Sequence, residues 1–422
     1  MTTRVPLYGW LTAEAISLTG TRVSMIAIPW FVLTTTDSPT LTGLVAFAEM
    51  APLVVLKALA GPLVDRVGAR RVAIGADLGS FVVVGLVPLL HFLGVLTFPV
   101  LLVLVALAGA LRGPGDGAKG AMVPALVRHG GVPMERATGL SAAVERTASM
   151  VGAAFAGALV ALVGPTTALV VDAGSFVVSG LLLLVTTRAL AGDRIAASAS
   201  AAAEADADEA DDAPYLRRLK EGWDFLRKDQ VLLGICVMVA LTNLIDQAFA
   251  VVLVPVWAKE TGGGAAVIGL LFAVFSGASI GGAVLASAFG DRLPRYATYL
   301  VAFLVGGAPR FWILAFDSPL WAVLAVCVAG GFASGFINPV LGAVIFERIP
   351  NHLVGRVSSL NTALCWSLIP LGGVVGGLLI GGAGLTAAML ACGAAYFLIT
   401  MLPALQPRWR ELDKRPEQVL AA

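Results

Sequence analysis

Gly61-Pro62-Leu63-Val64-Asp65-Arg66-Val67-Gly68-Ala69-Arg70-Arg71 joins two apolar runs, residues 40–60 and 72–93. Each run is close to the roughly 20 apolar residues that cross a ~30 Å hydrocarbon core. The segment between them carries Arg66, Arg70 and Arg71, and arginine and lysine accumulate in the loops on the inner side of a membrane. Two spans closed by a short basic loop make a helical hairpin in the bilayer, with its turn at the cytoplasmic face.

Composition extends that reading to the whole chain. Of 422 residues, 58% are hydrophobic and 13% charged, and the mean hydropathy is +0.90. A soluble domain carries roughly 25% charged residues, so this chain lacks the polar residues to cover a water-facing surface. Twelve apolar segments read as spans: 8–34, 40–60, 72–93, 97–122, 137–162, 166–187, 231–256, 266–289, 296–316, 320–346, 356–381 and 384–405. Each backbone group in such a run must be satisfied within its own segment, which requires helix. The ~10-residue alternating strands of a membrane barrel are missing. The expected fold is an all-α polytopic membrane protein of twelve transmembrane helices in two pseudo-symmetric six-helix bundles. No cleavable signal follows the first apolar run, so residues 1–31 read as a retained span.

Basic residues fix the expected orientation. Lys259 alone falls in an outward loop, whereas Arg4, Arg128, Arg136, Arg188, Arg217, Arg218, Lys220, Arg292 and Arg348 fall on the inward side with the hairpin arginines. Both termini are then cytoplasmic, in a cell membrane. The net charge is +1 and the basic residues form no single patch, which argues against nucleic acid as a partner. Cys236, Cys327, Cys365 and Cys392 lie in apolar stretches without a C-x-x-C pair and read as small buried hydrophobes rather than metal ligands.

An internal repeat organises the chain. At an offset of 226, Pro29 matches Pro255, Gly43 matches Gly269, Asp65 matches Asp291 and Arg66 matches Arg292. At 222, Gly109, Gly113 and Gly120 match Gly331, Gly335 and Gly342; at 220, Gly152, Gly157 and Gly164 match Gly372, Gly377 and Gly384. Ordered matches with a slowly drifting offset indicate two parallel halves, residues 1–189 and 230–407, with a 408–422 tail. Between the halves, 190–229 joins an acidic linker (Glu204, Asp206, Asp208, Glu209, Asp211, Asp212) to a stripe of Leu216, Leu219, Trp223 and Leu226 ringed by basic residues. The acidic part cannot bury enough apolar area to order itself; the stripe reads as an amphipathic helix on the inner membrane surface. Parallel repeats of this kind point to a site at their interface and to alternating access.

The 61–71 segment resembles the G-x-L-x-D-R-x-G-R-R signature of the major facilitator superfamily, and Gly290-Asp291-Arg292-Leu293-Pro294-Arg295 is a reduced copy in the second half. Ile28-Pro29-Trp30-Phe31, Val123-Pro124-Ala125-Leu126-Val127 and Val171-Asp172-Ala173-Gly174-Ser175-Phe176 further resemble twelve-span drug–proton antiporters of the macrolide-efflux and enterobactin-exporter type. Span 5 departs from the antiporter pattern, since Gly152 is followed by Ala153 where that branch has proline. The resemblance implies a gate built of Gly61, Asp65, Arg66, Gly68, Arg70, Arg71, Asp291 and Arg292. Gly61 would permit close packing between halves, and Asp65 would face a helix N-terminus and nearby arginines, a contact worth ~0.3–1 kcal/mol.

Charges inside the spans are the candidate chemistry, because each costs about 2.5–3.5 kcal/mol at a helix centre and persists for a reason. Glu49 lies about nine residues, roughly 13 Å, into span 2, near the midplane. Desolvation penalises the charged form of a carboxyl there, which suits a group that takes up and releases a proton. Arg112 resembles the family's span-4 arginine associated with proton coupling; Glu49, Arg112 and Glu14 are the coupling candidates. By the same resemblance spans 1, 4, 7 and 10 line the cavity, which puts Arg22, Asp116 and Asp246 in reach of substrate, with Trp366 as a stacking candidate. Glu145 and Arg146 read as a structural pair, and Asp77 and Lys119 as interfacial residues that snorkel to water. Most tryptophans read as an interfacial belt.

No G-K-[ST] occurs, which argues against an ATP-driven pump. His91, His129 and His352 neighbour no carboxylate motif, so a membrane-embedded enzyme is disfavoured. The expected function is proton-coupled export of a small amphiphilic or cationic compound by a monomer in the bacterial inner membrane, without metal or cofactor. Its partners are a small-molecule substrate, protons and the lipid bilayer. The alternative is an inward proton symporter for a nutrient.

Overall fold

The computed structural model describes residues 4–191, 215–289, 292–316, 318–350 and 353–413; most of the acidic linker and the last nine residues lie outside them. Eleven helices among these are long and apolar enough to cross a membrane: α1 Val5–Thr36, α2 Pro39–Ala58, α3 Ala69–Phe92, α4 Phe98–Gly130, α5 Arg136–Val163, α6 Pro165–Thr186, α7 Gln230–Glu260, α8 Gly264–Phe289, α9 Arg295–Ala315, α10 Leu320–Ile345 and α11 Val357–Ala383. A twelfth apolar helix, α12, spans Leu385–Met401. The surface keeps large apolar side chains such as Leu162, 83% exposed, as a lipid-facing surface does. The all-α, polytopic twelve-helix expectation holds.

Chain contacts divide the molecule into two compact units: Met1–Asp37, Leu44–Asp212 and Gly263–Leu270 in one, and Ser38–Gly43, Ala213–Gly262 and Leu271–Ala422 in the other. Within the first, α1 packs on α5 and α6, and α3 on α4 and α6. Within the second, α7 packs on α11, and α9 on α10 and α12. The pairings repeat with the six-helix period, as the sequence offsets require.

The repeat reaches single turns. Gly164 closes α5 at φ 82° and Gly384 closes α11 at φ 81°, with ψ of 162° and 167°. An L side chain is strained at that φ, so both halves keep glycine at this corner, followed within two residues by the next helix. Close backbone approaches recur too. In the first unit a Cβ on Gly157 would lie 2.6 Å from the Gly269 Cα; in the second, one on Gly377 would lie 2.7 Å from the Pro39 carbonyl oxygen. Small residues at such crossings are how helices gain packing where lipid removes the hydrophobic drive.

Several helices are interrupted. In α7, Phe249–Leu253 forms a π-type turn just before Pro255, whose missing N–H and ring displace the regular ladder. In the first unit the core gathers Leu7, Trp10, Val72, Leu126 and Leu183. Trp10 and Trp257 are both buried, so these two do not form a belt: each ring fills a core instead. The helix Tyr215–Lys228 sets Leu226 among Leu232, Cys236, Ile349 and Val357, so part of its apolar stripe packs on protein, while Trp223 is 38% exposed.

Candidate functional site

In the first unit, polar side chains on α1, α2, α3, α4 and α6 find one another inside apolar surroundings. Gly109 and Gly113 of α4 have no side chain to hold α2 away: a Cβ on Gly109 would lie 2.0 Å from the Glu49 carbonyl oxygen, and one on Gly113 would lie 2.5 Å from that of Leu53. That approach brings Arg112 to Glu49. The Arg112 Nη1 donates to Glu49 Oε1 at 2.7 Å, with side chains 12% and 8% exposed. Two of the expected coupling residues therefore form a single buried ion pair.

Asp172 of α6 is fully buried and accepts hydrogen bonds from the Ser24 and Ser175 hydroxyls. Gly20 provides the room, since a Cβ there would lie 1.9 Å from Ser175 Oγ. Glu14, the third coupling candidate, accepts from Ser141 at 3.2 Å. Arg22 donates from Nη2 to Ser149 Oγ at 2.7 Å. Asp116 is half-buried on α4 and has no side-chain partner among the described residues.

A second buried pair was not expected. Lys119 Nζ donates to Asp77 Oδ1 at 2.8 Å and to Ser17 Oγ at 3.0 Å, and Ser179 donates to Asp77 Oδ2 at 2.6 Å. The two charged side chains are 6% and 5% exposed, which corrects the snorkelling assignment. The cause is the length of the helices. Lys119 sits 11 residues before the end of Phe98–Gly130, and Asp77 eight after the start of Ala69–Phe92, which at 1.5 Å per residue buries each by more than ~10 Å along its axis. Small hydroxyl residues at Ser17 and Ser179 were the available signal. Glu145 and Arg146 are both exposed and form no pair with each other, as adjacent positions on a helix point apart.

The 61–71 segment forms a short helix, Gly61–Val67, that ends at Gly68 with φ 95° before α3 begins. Positive φ explains that glycine. Arg70 bridges to the end of α6, its Nε donating to Thr187 Oγ1 at 2.9 Å and its Nη2 to the Leu184 carbonyl oxygen at 2.8 Å. A cation there complements the carbonyl end of a helix. Asp65, Arg66 and Arg71 are exposed, and a Cβ on Gly61 would meet nothing within 4 Å. Asp291 lies outside the described residues, and Arg292 is exposed.

In the second unit Arg310 of α9 donates to Asp246 of α7. The guanidinium carbon lies 5.0 Å from the Phe249 and Phe311 ring centres, 5.3 Å from Tyr396 and 5.5 Å from Phe275. Asp246 is the more open partner, its side chain 37% exposed against 11% for Arg310. Trp366 stands at the interruption of α11, 36% exposed. At the helix ends, Arg348 pairs with Asp229 at 2.8 Å and Glu411 at 3.3 Å. Burial works against that guanidinium, but the two carboxylates outweigh it and raise its pKa above the ordinary arginine value. Arg295 and Glu347 form a two-pronged pair, both bonds 2.7 Å. Among the described residues no cluster of three His, Cys, Asp or Glu side chains could hold a metal.

Twelve apolar helices in repeated halves, with ion pairs buried at membrane depth, define a secondary transporter of small molecules. The family model of the Major Facilitator Superfamily matches residues 10–247 and 235–419, and the chain belongs to that superfamily. It is 30% identical over 415 residues to the multidrug efflux pump Tap of Mycolicibacterium fortuitum, covering 98% of each chain. It is 22% identical over 416 residues to the macrolide efflux protein A of Streptococcus pyogenes, covering 97% of this chain and 98% of that one. The fold is also that of the nucleoside transporter NupG, at a TM-score of 0.71 and 12% identity over 95% of this chain and 99% of that one.

Proposed function

We propose that this protein exports small amphiphilic or cationic compounds from a bacterial cell in exchange for protons, with Glu49 as the proton carrier and Arg112 as its switch. The observation that carries the reading is the buried Glu49–Arg112 pair. While the pair is closed, the Arg112 guanidinium favours the charged form of the carboxylate. Parting the two leaves both charges unpaired out of water, each at a cost of several kcal/mol; a proton on Glu49 removes the carboxylate's share. Proton uptake and release are thereby tied to a movement of α2 against α4. The efflux names of the two sequence relatives support the outward direction. In this reading alternating access moves two halves, residues 1–189 and 230–407, as a monomer in the inner membrane. Both termini are cytoplasmic, and the 61–71 segment is the gate.

The test is accumulation of fluorescent dyes and antibiotics in an efflux-deficient host expressing the parent, Glu49→Gln or Arg112→Ala, with and without a protonophore. The parent lowers accumulation and the protonophore restores it; both variants accumulate like the empty host. Unchanged accumulation across a broad panel removes the export reading, and export that ignores the protonophore removes the coupling.

A further inference from the structure

Arg22 differs from three other cations set inside the spans. Arg112, Lys119 and Arg310 each hold a carboxylate. Arg22 has Ser149 Oγ at 2.7 Å and Met25 Sδ at 3.5 Å, and no carboxylate within ion-pairing distance among the described residues. Its Nε is buried without a partner. A guanidinium offers five N–H donors in a planar fork, so most of its bonding capacity is unspent. The neighbouring acids are engaged elsewhere or stand beyond ion-pairing distance: Glu49 with Arg112, Asp172 with Ser24 and Ser175, Glu14 with Ser141, while Glu145, one turn before Ser149 on α5, is exposed and reaches Arg22 only through its charge.

The chain also makes room for this cation. Gly152 of α5 lies against it, and a Cβ there would sit 3.0 Å from Arg22 Cγ and 3.2 Å from its Cβ. The bare backbone at Gly152 and the hydroxyl at Ser149, three residues apart on one face of α5, form a seat for a guanidinium that no carboxylate pairs with among the described residues. Charged groups are expensive at membrane depth and are kept where they act, and the arginine fork matches a planar oxyanion in two-pronged fashion.

We propose that Arg22, aided by Ser149, recognises an anionic group, a carboxylate or similar oxyanion, on the transported compound. The assignment rests on the export reading and narrows its substrates to amphiphiles bearing such a group, including zwitterions that join it to an amine. Arg22 is then a specificity residue, and Gly152 a positioning residue.

The test uses two dyes that differ by one ester. Rhodamine 110 carries a free carboxylate, and rhodamine 123 is its methyl ester. Binding to the purified full chain is followed by fluorescence polarisation, beside dye extrusion from cells. The wild type binds the acid about 10-fold or more better than the ester, the scale of one charge-assisted bond. Arg22→Gln brings that ratio to about one, and Arg22→Lys restores part of it. Gly152→Ala, which presses on the Arg22 stem but leaves its charge, lowers the ratio, and serves if Arg22→Gln fails to fold. A wild-type ratio near one, no binding of the acid, or an unchanged ratio in both Arg22→Gln and Gly152→Ala overturns the assignment. So does an equal fall in ratio from Glu145→Gln, which would make Glu145 the true partner. Acid-selective binding without extrusion of either dye upholds the Arg22 site and removes the export reading instead.

Discussion

Exchanging Lys119 for methionine takes the cation from a carboxylate that has little else to hold it. Asp77 would keep only the Ser179 hydroxyl at 2.6 Å, with its side chain 5% exposed and α1, α3, α4 and α6 closed around it. Removing one partner of a buried pair costs about 3–5 kcal/mol, a large part of a total stability of ~5–15 kcal/mol. Asp77→Asn should cost a similar amount, since it strands the ammonium with Ser17. The double variant, with neither charge, should lose far less than the two together, leaving a coupling energy on the order of 3 kcal/mol. Unfolding by dodecyl sulfate in mixed micelles, followed by tryptophan fluorescence, measures all three. Single costs below about 1 kcal/mol that simply add are how a solvated pair behaves, and that result would refute the burial argument.

Four further outcomes follow from named contacts. Gly109→Val forces α4 away from the Glu49 carbonyl, with an overpacking cost of about 1–3 kcal/mol and lost dye extrusion. Gly61→Ala, with open space around it, should stay within roughly 0.5 kcal/mol of the parent in the same mixed-micelle assay. Arg70→Ala removes two bonds at the end of α6 and should cost about 1 kcal/mol, seen as a small drop in thermal stability; a drop as large as that of Lys119→Met would contradict the capping role. Leu226→Ala empties a fully packed position at a cost of about 2–4 kcal/mol; limited trypsinolysis should then cut faster at Arg227 and Lys228, and an unchanged rate would show that the helix is held by other contacts.

The twelve helices were legible because continuous apolar runs leave the backbone no alternative, and the repeat because both halves keep glycine at the same turns, Gly164 and Gly384 among them. Glu49 and Arg112 were legible singly, as charges at membrane depth, but their pairing depends on α2 and α4 meeting over Gly109, 60 residues from Glu49 in sequence. Lys119 reads as interfacial in a span that stops at residue 122, whereas the helix continues to Gly130. Val123-Pro124 reads as a boundary, yet proline at the start of a new helical turn needs no N–H and lets the chain run on with only a slight break. The Arg310 cage was hidden for a related reason: its rings come from α7, α8, α9 and α12, which only the packed unit assembles.

The most direct test of the account is proton-driven dye transport by purified protein in liposomes, wild type against Glu49→Gln, under an imposed pH gradient. The wild type should move dye against its gradient and stop when the pH difference is collapsed. Glu49→Gln should still bind dye but fail to concentrate it, at any gradient. A Glu49→Gln protein that concentrates dye at the wild-type rate and remains sensitive to the pH gradient would contradict the central claim that this carboxyl carries the coupled proton.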